Sequence, residues 1–220
     1  MKTANSKKPA KTTARLRRPR GTREETREQL LLAAMDLLRE GGAAAVTTTS
    51  VTQAIGLAQS GFYQHFSSVD ECLQVAAERC GERIRQFVAE HLRVAQADKV
   101  DPITAHVRHF RAVLELCLHE RSLAELLLRR RYDESPVGRA MGGLHDSLRD
   151  DLLGNLRDIA QSFHPRAADD PRLLVLVECL LAMTLAAGEI VLDGRGEVET
   201  LAGELAVYTY ALCGNLAHRI

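Results

Sequence analysis

The stretch GLAQSGFYQHF, from Gly56 to Phe66, sets the fold of the first third of the chain. The segment before it is typical of a short helix, because Thr47 can cap its start and Gly56 can take the left-handed conformation that ends it. A third helix is predicted over residues 59–66. Two short helices separated by three residues, with glycine at the break, indicate a helix-turn-helix, whose second helix enters the major groove of DNA.

The spacing of the aromatic residues separates an inner from an outer face of this third helix. Phe62 and Phe66 are four residues apart, so both are predicted to pack inward onto the first helix of the chain. The outward face then carries four polar side chains. Glutamine can bond adenine through two hydrogen bonds, and hydroxyl groups reach phosphates or base edges. We therefore predict DNA contacts from Gln59, Ser60, Tyr63 and Gln64.

The remaining sequence also has the spacing of helices. Thr22 followed by Glu25 is a capping box that begins a first helix, which the pair Gly41 and Gly42 ends. Six helices are predicted after the helix-turn-helix, at about 68–92, 102–118, 122–131, 136–163, 171–192 and 198–216. No segment alternates with a period of two. The prediction is an all-α fold of nine helices, with a three-helix front end and a larger bundle behind it.

Composition indicates a cytoplasmic protein with a core of small aliphatic residues. Of the 220 residues, 45% are hydrophobic but only 4% are aromatic, and tryptophan is absent. The five cysteines form no C-x-x-C pair, and no apolar export signal follows the basic start of the chain. Residues 173–191 are long enough to span a membrane, but Glu178 and Glu189 interrupt them, so we expect a buried helix and no membrane partner.

Charge is distributed unevenly, although 29 basic residues balance 29 acidic ones. Residues 1–20 hold eight lysines and arginines and no acid, and they lack apolar periodicity. We predict a disordered basic arm over 1–20, a helix-turn-helix domain over 21–67 and a helical domain over 68–220. The arm is either a DNA contact, with Arg17, Arg18 and Arg20 nearest the folded chain, or a solvated tail.

No enzyme motif, cofactor motif or metal site is found in the sequence. G-x-S-x-G, HExxH and Walker A patterns are absent. His106 and His109 share a helix face, but no third metal ligand can be named. We therefore predict a protein that performs no chemistry and needs no cofactor.

The stretches TREQLLLAAMDLLREGG, VTTTSVTQAIGL and GFYQHFSSVDECL together resemble the DNA-binding domain of the TetR family of transcriptional regulators. The resemblance runs from Thr26 to Leu73, and the Tyr-x-x-Phe ending of the third helix is its most specific part. It implies that Tyr63 and the start of the second helix touch phosphates while the third helix reads bases. It adds Thr47, Thr48 and Thr49 to the predicted DNA contacts. Gly61 and His65 complete the predicted set, with His65 as a satisfied structural residue or on the phosphate side rather than as a metal ligand.

Three positions depart from the family pattern. Ala58 replaces the serine or threonine that usually caps the third helix, which costs roughly 1 kcal/mol of capping. Gly61 stands where a small hydroxyl residue is frequent, so one DNA contact is lost but the backbone can approach closely. Val69 replaces a lysine that commonly meets phosphate, so the phosphate affinity must come from elsewhere.

The family also implies an apolar effector pocket in the second domain. Its predicted lining is Phe87, Phe110, Leu114, Leu126, Arg130, Phe163, Leu180 and Met183. Arg129, Arg130 and Arg131 are candidates to meet an acidic headgroup near the mouth of the pocket, or else form a solvated basic turn balanced by the neighbouring acids.

The last two helices are apolar on several faces, which is typical of helices covered by a second subunit. Small residues there allow helices to approach closely. We predict a homodimer through Ala182, Ala186, Leu205, Tyr208 and Leu212. The chain is thus predicted to be a dimeric repressor that a small, largely apolar effector releases from a palindromic operator. The alternatives are an activator or ligand-insensitive DNA-binding protein of this fold, and an all-α enzyme without a recognisable motif.

Overall fold

A computed structural model describes residues 22–97, 100–163 and 167–217 of the chain. Within these residues the secondary structure is entirely helical, which confirms the predicted all-α class with nine α-helices. Two short 3₁₀ turns, Ala43–Ala45 and Ala167–Asp169, precede α2 and α8. The helices are α1 (Arg23–Gly41), α2 (Thr48–Ile55), α3 (Gln59–Phe62), α4 (Val69–Ala97), α5 (Pro102–His119), α6 (Arg121–Arg130), α7 (Pro136–Phe163), α8 (Arg172–Leu192) and α9 (Val198–Ala217).

Local capping signals place most helix starts correctly. The predicted box at Thr22 is present, because its hydroxyl accepts from the Glu25 amide at 3.2 Å and the Glu25 carboxylate accepts from the Thr22 amide at 2.7 Å. Ser68 caps α4 by accepting from the Glu71 amide at 3.1 Å. Asp101 caps α5 in the same way through Thr104. Helix ends are less well predicted, since α4 continues to Ala97 instead of stopping near residue 92.

The first core cluster joins the front helices to the bundle behind them. Buried residues of α1, α2, α3 and α4 share it with residues of α6 and α7, such as Leu123 and Met141. The expected boundary at residues 67 and 68 therefore crosses a continuous apolar core. Consequently, a shift of α6 or α7 changes the packing against α1.

Two further clusters fill the bundle. One combines Phe110 and Leu114 of α5 with α8 and α9, and the other combines α7 and α8 around Val177. Among the described residues, α8 alone is long and apolar enough to span a membrane, with a mean hydropathy of 2.1. A helix at the centre of a helical bundle has the same composition, and α8 packs against α5, α6, α7 and α9.

His109 is a buried polar residue of α5. It is only 8% exposed, and within the described chain its Nδ1 atom has no hydrogen-bond partner. Burial, with a smaller contribution from His106 and His91, lowers the pKa of His109 to about 4. The imidazole is therefore neutral at physiological pH.

This burial predicts a pH-dependent stability. Because the folded pKa lies below the ordinary value of 6.5, the unfolded chain binds more protons at intermediate pH. The contribution of the neutral His109 to the free energy of unfolding has its full value above about pH 6.5 and is lost as the pH falls towards 4. Between pH 7.5 and pH 5 the wild type should lose about 2 kcal/mol more than His109→Leu, which cannot titrate there. Urea unfolding at both pH values measures the difference, and equal losses would contradict the burial of a neutral imidazole.

Candidate nucleic-acid interface

The helix-turn-helix is built from local signals at both ends of α2. The Thr47 hydroxyl accepts from the Ser50 amide at 3.0 Å, and the Ser50 hydroxyl accepts from the Thr47 amide at 2.9 Å. At the other end, Gly56 adopts φ 69° and ψ 28°, a left-handed conformation that glycine takes without strain. The Leu57 amide then donates to the Thr52 carbonyl at 2.9 Å. These bonds fix the direction in which the chain enters α3.

The prediction of one helix over residues 59–66 is wrong in its length. The α-helix ends at Phe62, and Tyr63 to His65 continue as a turn in which the His65 amide donates to the Phe62 carbonyl at 2.9 Å. Ala58 offers no side-chain cap at the start, and Gly61 has a low intrinsic preference for helix. Tertiary packing holds the segment instead, because Phe62 and Phe66 are both buried in the first core cluster.

The predicted separation of faces is otherwise present. Gln59, Ser60, Tyr63 and Gln64 are exposed, and Tyr63 has 61% of its surface open to solvent. The side-chain Nε2 of Gln59 donates to the Thr49 hydroxyl at 2.5 Å. This bond joins the start of α3 to α2. Thr47 and Thr49 are exposed as well, while Thr48 is half-buried, so the predicted contacts of α2 and α3 form one surface.

His65 lies behind this surface and is half-buried. Its Nδ1 atom is buried without a hydrogen-bond partner among the described residues. The structure therefore does not show the expected structural histidine with both ring nitrogens hydrogen-bonded. Burial, followed by the positive charges of Arg23 and Arg27, lowers the pKa of His65. In the protein without DNA, His65 is therefore a neutral imidazole and adds no positive charge to those of Arg23 and Arg27.

Sequence reasoning missed two arginines of α1 at this site. Arg23 donates from Nη2 to the Gln64 carbonyl at 2.9 Å, and the Arg27 guanidinium lies 4.7 Å from the centre of the Phe66 ring. Both residues fall on one face of the first two turns of α1, because they are four residues apart. That spacing indicates a shared face, but no local pattern shows that this face meets the turn after α3.

The departures at Gly61 and Val69 have structural reasons. A β-carbon at Gly61 would lie 3.0 Å from the side chain of Leu57, so glycine leaves room for the residue that packs beneath the turn. Val69 is half-buried and packs against the first core cluster. The Val69 side chain therefore contributes to the core, whereas a lysine side chain would extend from the core towards solvent or phosphate.

The uncapped start of α3 gives a stability prediction. Ala58 is exposed and has an extended backbone, so Ala58→Ser places a hydroxyl where it can accept from the free amides of the first turn. We expect the free energy of unfolding to rise by about 1 kcal/mol. Ala54→Ser, at an exposed position inside α2, is the control and should give no gain. Equal effects of the two substitutions on the free energy of unfolding in chemical denaturation would mean that the missing cap of α3 does not lower the stability.

The structure divides the residues of the predicted effector pocket among several places. Phe110 and Leu114 lie in the second cluster and Leu180 in the third, while Met183 packs against both. Phe87 is half-buried on α4 and stacks on His91 with ring centres 3.9 Å apart. Phe163 ends α7, and its side chain lies outside the described part of the chain.

Leu126 and Arg130 lie apart from these residues. They line an open groove of about 250 Å³ between the end of α1 and α6, together with Gly41, Gly42, Ser122, Glu125 and Arg129. The seven residues with described side chains therefore do not line a single cavity in this conformation.

The three consecutive arginines have partners within the chain. Arg129 faces Asp193 at 3.7 Å, and Arg130 pairs with Asp133 and donates to the Ser135 hydroxyl at 3.2 Å. Arg131 donates to the carbonyls of Leu127 and Leu128 and stacks over Tyr132. This internal pairing favours the alternative of a basic turn balanced by acids of the chain itself.

The residues of the predicted dimer interface differ in their exposure. Ala182 and Ala186 of α8 and Tyr208 of α9 are exposed. Leu212 is half-buried against the third cluster. Leu205 is only 5% exposed and packs in the second cluster, so its side chain serves the core of the protomer rather than an open face. The arm residues Arg17, Arg18 and Arg20 lie outside the described residues.

Comparison with known proteins identifies this arrangement. Residues 30–76 match the family described as "Bacterial regulatory proteins, tetR family". No curated protein matches the chain. A TetR-like transcriptional regulator from Rhodococcus sp. RHA1 is similar in structure, with 23% identity, a TM-score of 0.55 and coverage of 92% of this chain and 97% of that chain.

Two further solved structures share the fold. A TetR-family transcriptional regulator from Streptomyces coelicolor has 18% identity and a TM-score of 0.63, with coverage of 89% of this chain and 88% of that chain. RolR, solved in complex with resorcinol, has 20% identity and a TM-score of 0.53, with coverage of 90% and 95%. TetR-family regulators bind DNA and are not enzymes. Residues 30–76 therefore belong to the TetR family of bacterial regulatory proteins, and the described chain has the fold of its DNA-binding regulators.

Proposed function

We propose that the chain is a cytoplasmic, homodimeric transcriptional repressor that leaves a palindromic operator when a small, largely apolar effector binds. One observation carries the DNA-binding part of this proposal. Four polar side chains, Gln59, Ser60, Tyr63 and Gln64, are exposed on a segment whose inner side is fixed by two buried phenylalanines. Such a surface can enter a major groove without losing its shape.

The roles within this surface follow from the chemistry of its side chains. The side-chain amide of Gln64 makes no hydrogen bond to the described residues, and it is proposed to read a base edge. Tyr63 is proposed to donate its hydroxyl to a phosphate, as are Thr47 and Thr49 at the start of α2. Gln59 is partly occupied by its bond to Thr49, so it is proposed to orient the start of α2 as well as to contact DNA.

The second domain, proposed to begin at α4, supplies the dimer. Leu174 and Val175 of α8 and Val207, Tyr208 and Tyr210 of α9 are large apolar residues that stay exposed in the protomer. Exposed apolar surface of this extent marks a protein interface. We propose that these two helices meet their copies in a four-helix contact around a two-fold axis.

The effector is proposed to bind between the second and third core clusters, where Met183 borders both. RolR, which shares the fold, was solved with resorcinol, and this supports a small and mostly apolar ligand. Methionine adapts its shape readily, so this position can open around a ligand.

A partly buried ion pair can transmit the change to DNA. Arg39, in the last turn of α1, donates from Nε to Glu120 at 2.6 Å and makes a second contact through Nη2. Glu120 is the single residue between α5 and α6. A movement of this joint therefore acts directly on α1, and a coupling of about 1–3 kcal/mol is enough for release.

The proposed roles predict a contrast between two substitutions. Gln64→Ala should relax the preference for one base pair in each half-site, worth about 1–3 kcal/mol of discrimination. Tyr63→Phe removes about 1 kcal/mol of phosphate bonding per subunit, so a dimer should bind every sequence about 30-fold more weakly. Competition binding with a set of single-base operator variants measures both effects. Unchanged preference for Gln64→Ala and unchanged affinity for Tyr63→Phe, in folded dimers, would place the recognition surface elsewhere.

A further inference from the structure

The recognition segment consists of α3 and the turn that follows it, residues 59–65. Near its end lies a carbonyl to which no amide of α3 can donate. Since α3 has a single turn, the carbonyls after it lack the amide partners that a longer helix would supply. The Gln64 carbonyl receives its hydrogen bond from Arg23 of α1, at 2.9 Å. A cation at this end also suits the partial negative charge of a helix terminus.

Arg23 is itself held in a defined position. It is the first residue of α1 and directly follows Thr22, whose capping box with Glu25 fixes the first turn. One turn later, Arg27 stacks over Phe66 and brings α1 against the end of the recognition segment. The guanidinium of Arg23 therefore meets Gln64 from a rigid support.

Most of the hydrogen-bonding capacity of Arg23 remains available. A guanidinium has five N–H donors, and the contact with Gln64 occupies one of them. No carboxylate of the described residues lies within ion-pair distance of Arg23, although α1 carries Glu24 and Glu25 next to it. The residue is exposed beside the polar surface of Tyr63 and Gln64.

We propose that Arg23 is a bridging residue of the DNA interface. One N–H holds the Gln64 carbonyl, and the remaining donors bind a backbone phosphate next to the base that Gln64 reads. The bond to the carbonyl holds the turn that carries the Gln64 side chain in place, so Arg23 contributes to base preference without touching a base. This inference rests on the proposed DNA-binding function and assigns to it a residue outside the matched region 30–76.

The bridge requires arginine rather than lysine. A guanidinium is planar and can donate in two directions at once, whereas an ammonium group is a point charge on a flexible stem. Lysine at position 23 would keep the attraction to phosphate but would not hold the Gln64 carbonyl and the phosphate in a fixed relation.

Three substitutions separate the two halves of the bridge. Arg23→Gln keeps an amide donor for the Gln64 carbonyl but loses the charge. Arg23→Lys keeps the charge but loses the planar guanidinium that can donate in two directions. Arg23→Ala loses both the charge and the donors. The control is Arg93→Ala, because Arg93 is exposed and lies 24 residues, or about 36 Å, along α4 from its start. Both positions of substitution are on the surface, and thermal unfolding checks that each of the four variants is folded.

Two quantities are measured. The first is the salt dependence of the affinity for a random-sequence duplex of about three helical turns, and the second is the ratio of the affinity for the operator to the affinity for that duplex. For Arg23→Gln we expect the slope of log affinity against log salt to flatten by about 2 per dimer, with the ratio retained. For Arg23→Lys we expect an unchanged slope and a ratio about tenfold lower. Arg23→Ala should show both losses, and Arg93→Ala neither.

Several outcomes would overturn the bridge. An unchanged slope in both Arg23→Gln and Arg23→Ala removes the phosphate contact. An unchanged ratio in both Arg23→Lys and Arg23→Ala removes the positioning of Gln64. The wild type serves as the separate check on the proposed function: if it binds neither duplex, the DNA-binding proposal fails, whereas normal wild-type binding with wild-type behaviour of all variants rejects Arg23 alone.

Discussion

Removal of residues 1–20 is expected to flatten the salt dependence of DNA binding by several units per dimer. The reason is the distribution of charge. Residues 22–66 carry three arginines against five acidic residues, a net charge of −2, so the net charge of the front end does not favour DNA. The eight positive charges of the first 20 residues are expected to supply most of the attraction.

The place where the arm joins the fold supports this expectation. The described chain begins at Thr22, and the next residue, Arg23, bonds to the recognition segment at Gln64. Each phosphate neutralised contributes about 0.9 to the slope, so two contacts per subunit correspond to about 3.6 per dimer. A slope change of that size means a difference of roughly 100-fold in affinity between 50 and 200 mM salt.

A full-length variant with all eight basic residues replaced by glutamine separates charge from length. It should behave like the truncated chain, and both should keep the base preference of the wild type, because we propose that α3 and the turn after it read the bases. A salt slope that survives the truncation would make residues 1–20 a solvated tail, and the phosphate contacts would then have to come from the arginines of α1.

A charge placed on the exposed face of α8 is expected to convert the dimer to monomers. Val175 is 63% exposed in the protomer, the most open of the large aliphatic residues described, and Ala186 lies further along the same exposed side. In a two-fold contact every substitution enters twice. Burying two unpaired carboxylates costs several kcal/mol each, which exceeds what the lost apolar contact alone would cost.

Val175→Asp and Ala186→Glu should therefore sediment as folded monomers at micromolar concentration. Operator affinity should fall by orders of magnitude, because the two half-sites are no longer bound by linked modules. Val94→Asp is the matched control, since Val94 is 49% exposed on α4 and lies off the proposed interface. A dimer that persists in both α8 variants, or a wild type that is already monomeric, would remove the four-helix contact and the expectation of a palindromic operator.

Local signals in the sequence predicted the helices well because the same residues make the bonds that form them. Thr22, Thr47 and Asp101 each accept a hydrogen bond from the amide three residues later, and Gly56 takes the left-handed conformation that its position requires. These features depend on a few consecutive residues, so they can be recognised without knowledge of the fold.

Features that depend on packing between distant segments were not predictable in this way. The end of α3 is stabilised by Arg23, 41 positions away along the chain, which no local pattern indicates. Leu205 follows the apolar pattern of a dimer face, but α5 covers it within the protomer. The acids next to Arg130 in sequence already indicated its pairing with Asp133, but the pairing of Arg129 with Asp193 joins distant segments and was not indicated.

The central claim is that the turn after α3 reads DNA in a dimer, and one measurement tests it most directly. Genomic fragments are selected by the purified full-length chain and then footprinted with the wild type and with Gln64→Ala. The account predicts two protected half-sites related by a dyad, with centres about one helical turn or a multiple of it apart. It also predicts that Gln64→Ala loses its preference at one symmetric pair of positions and nowhere else. Absence of any selected fragment, or an identical footprint and base preference for Gln64→Ala, would contradict it.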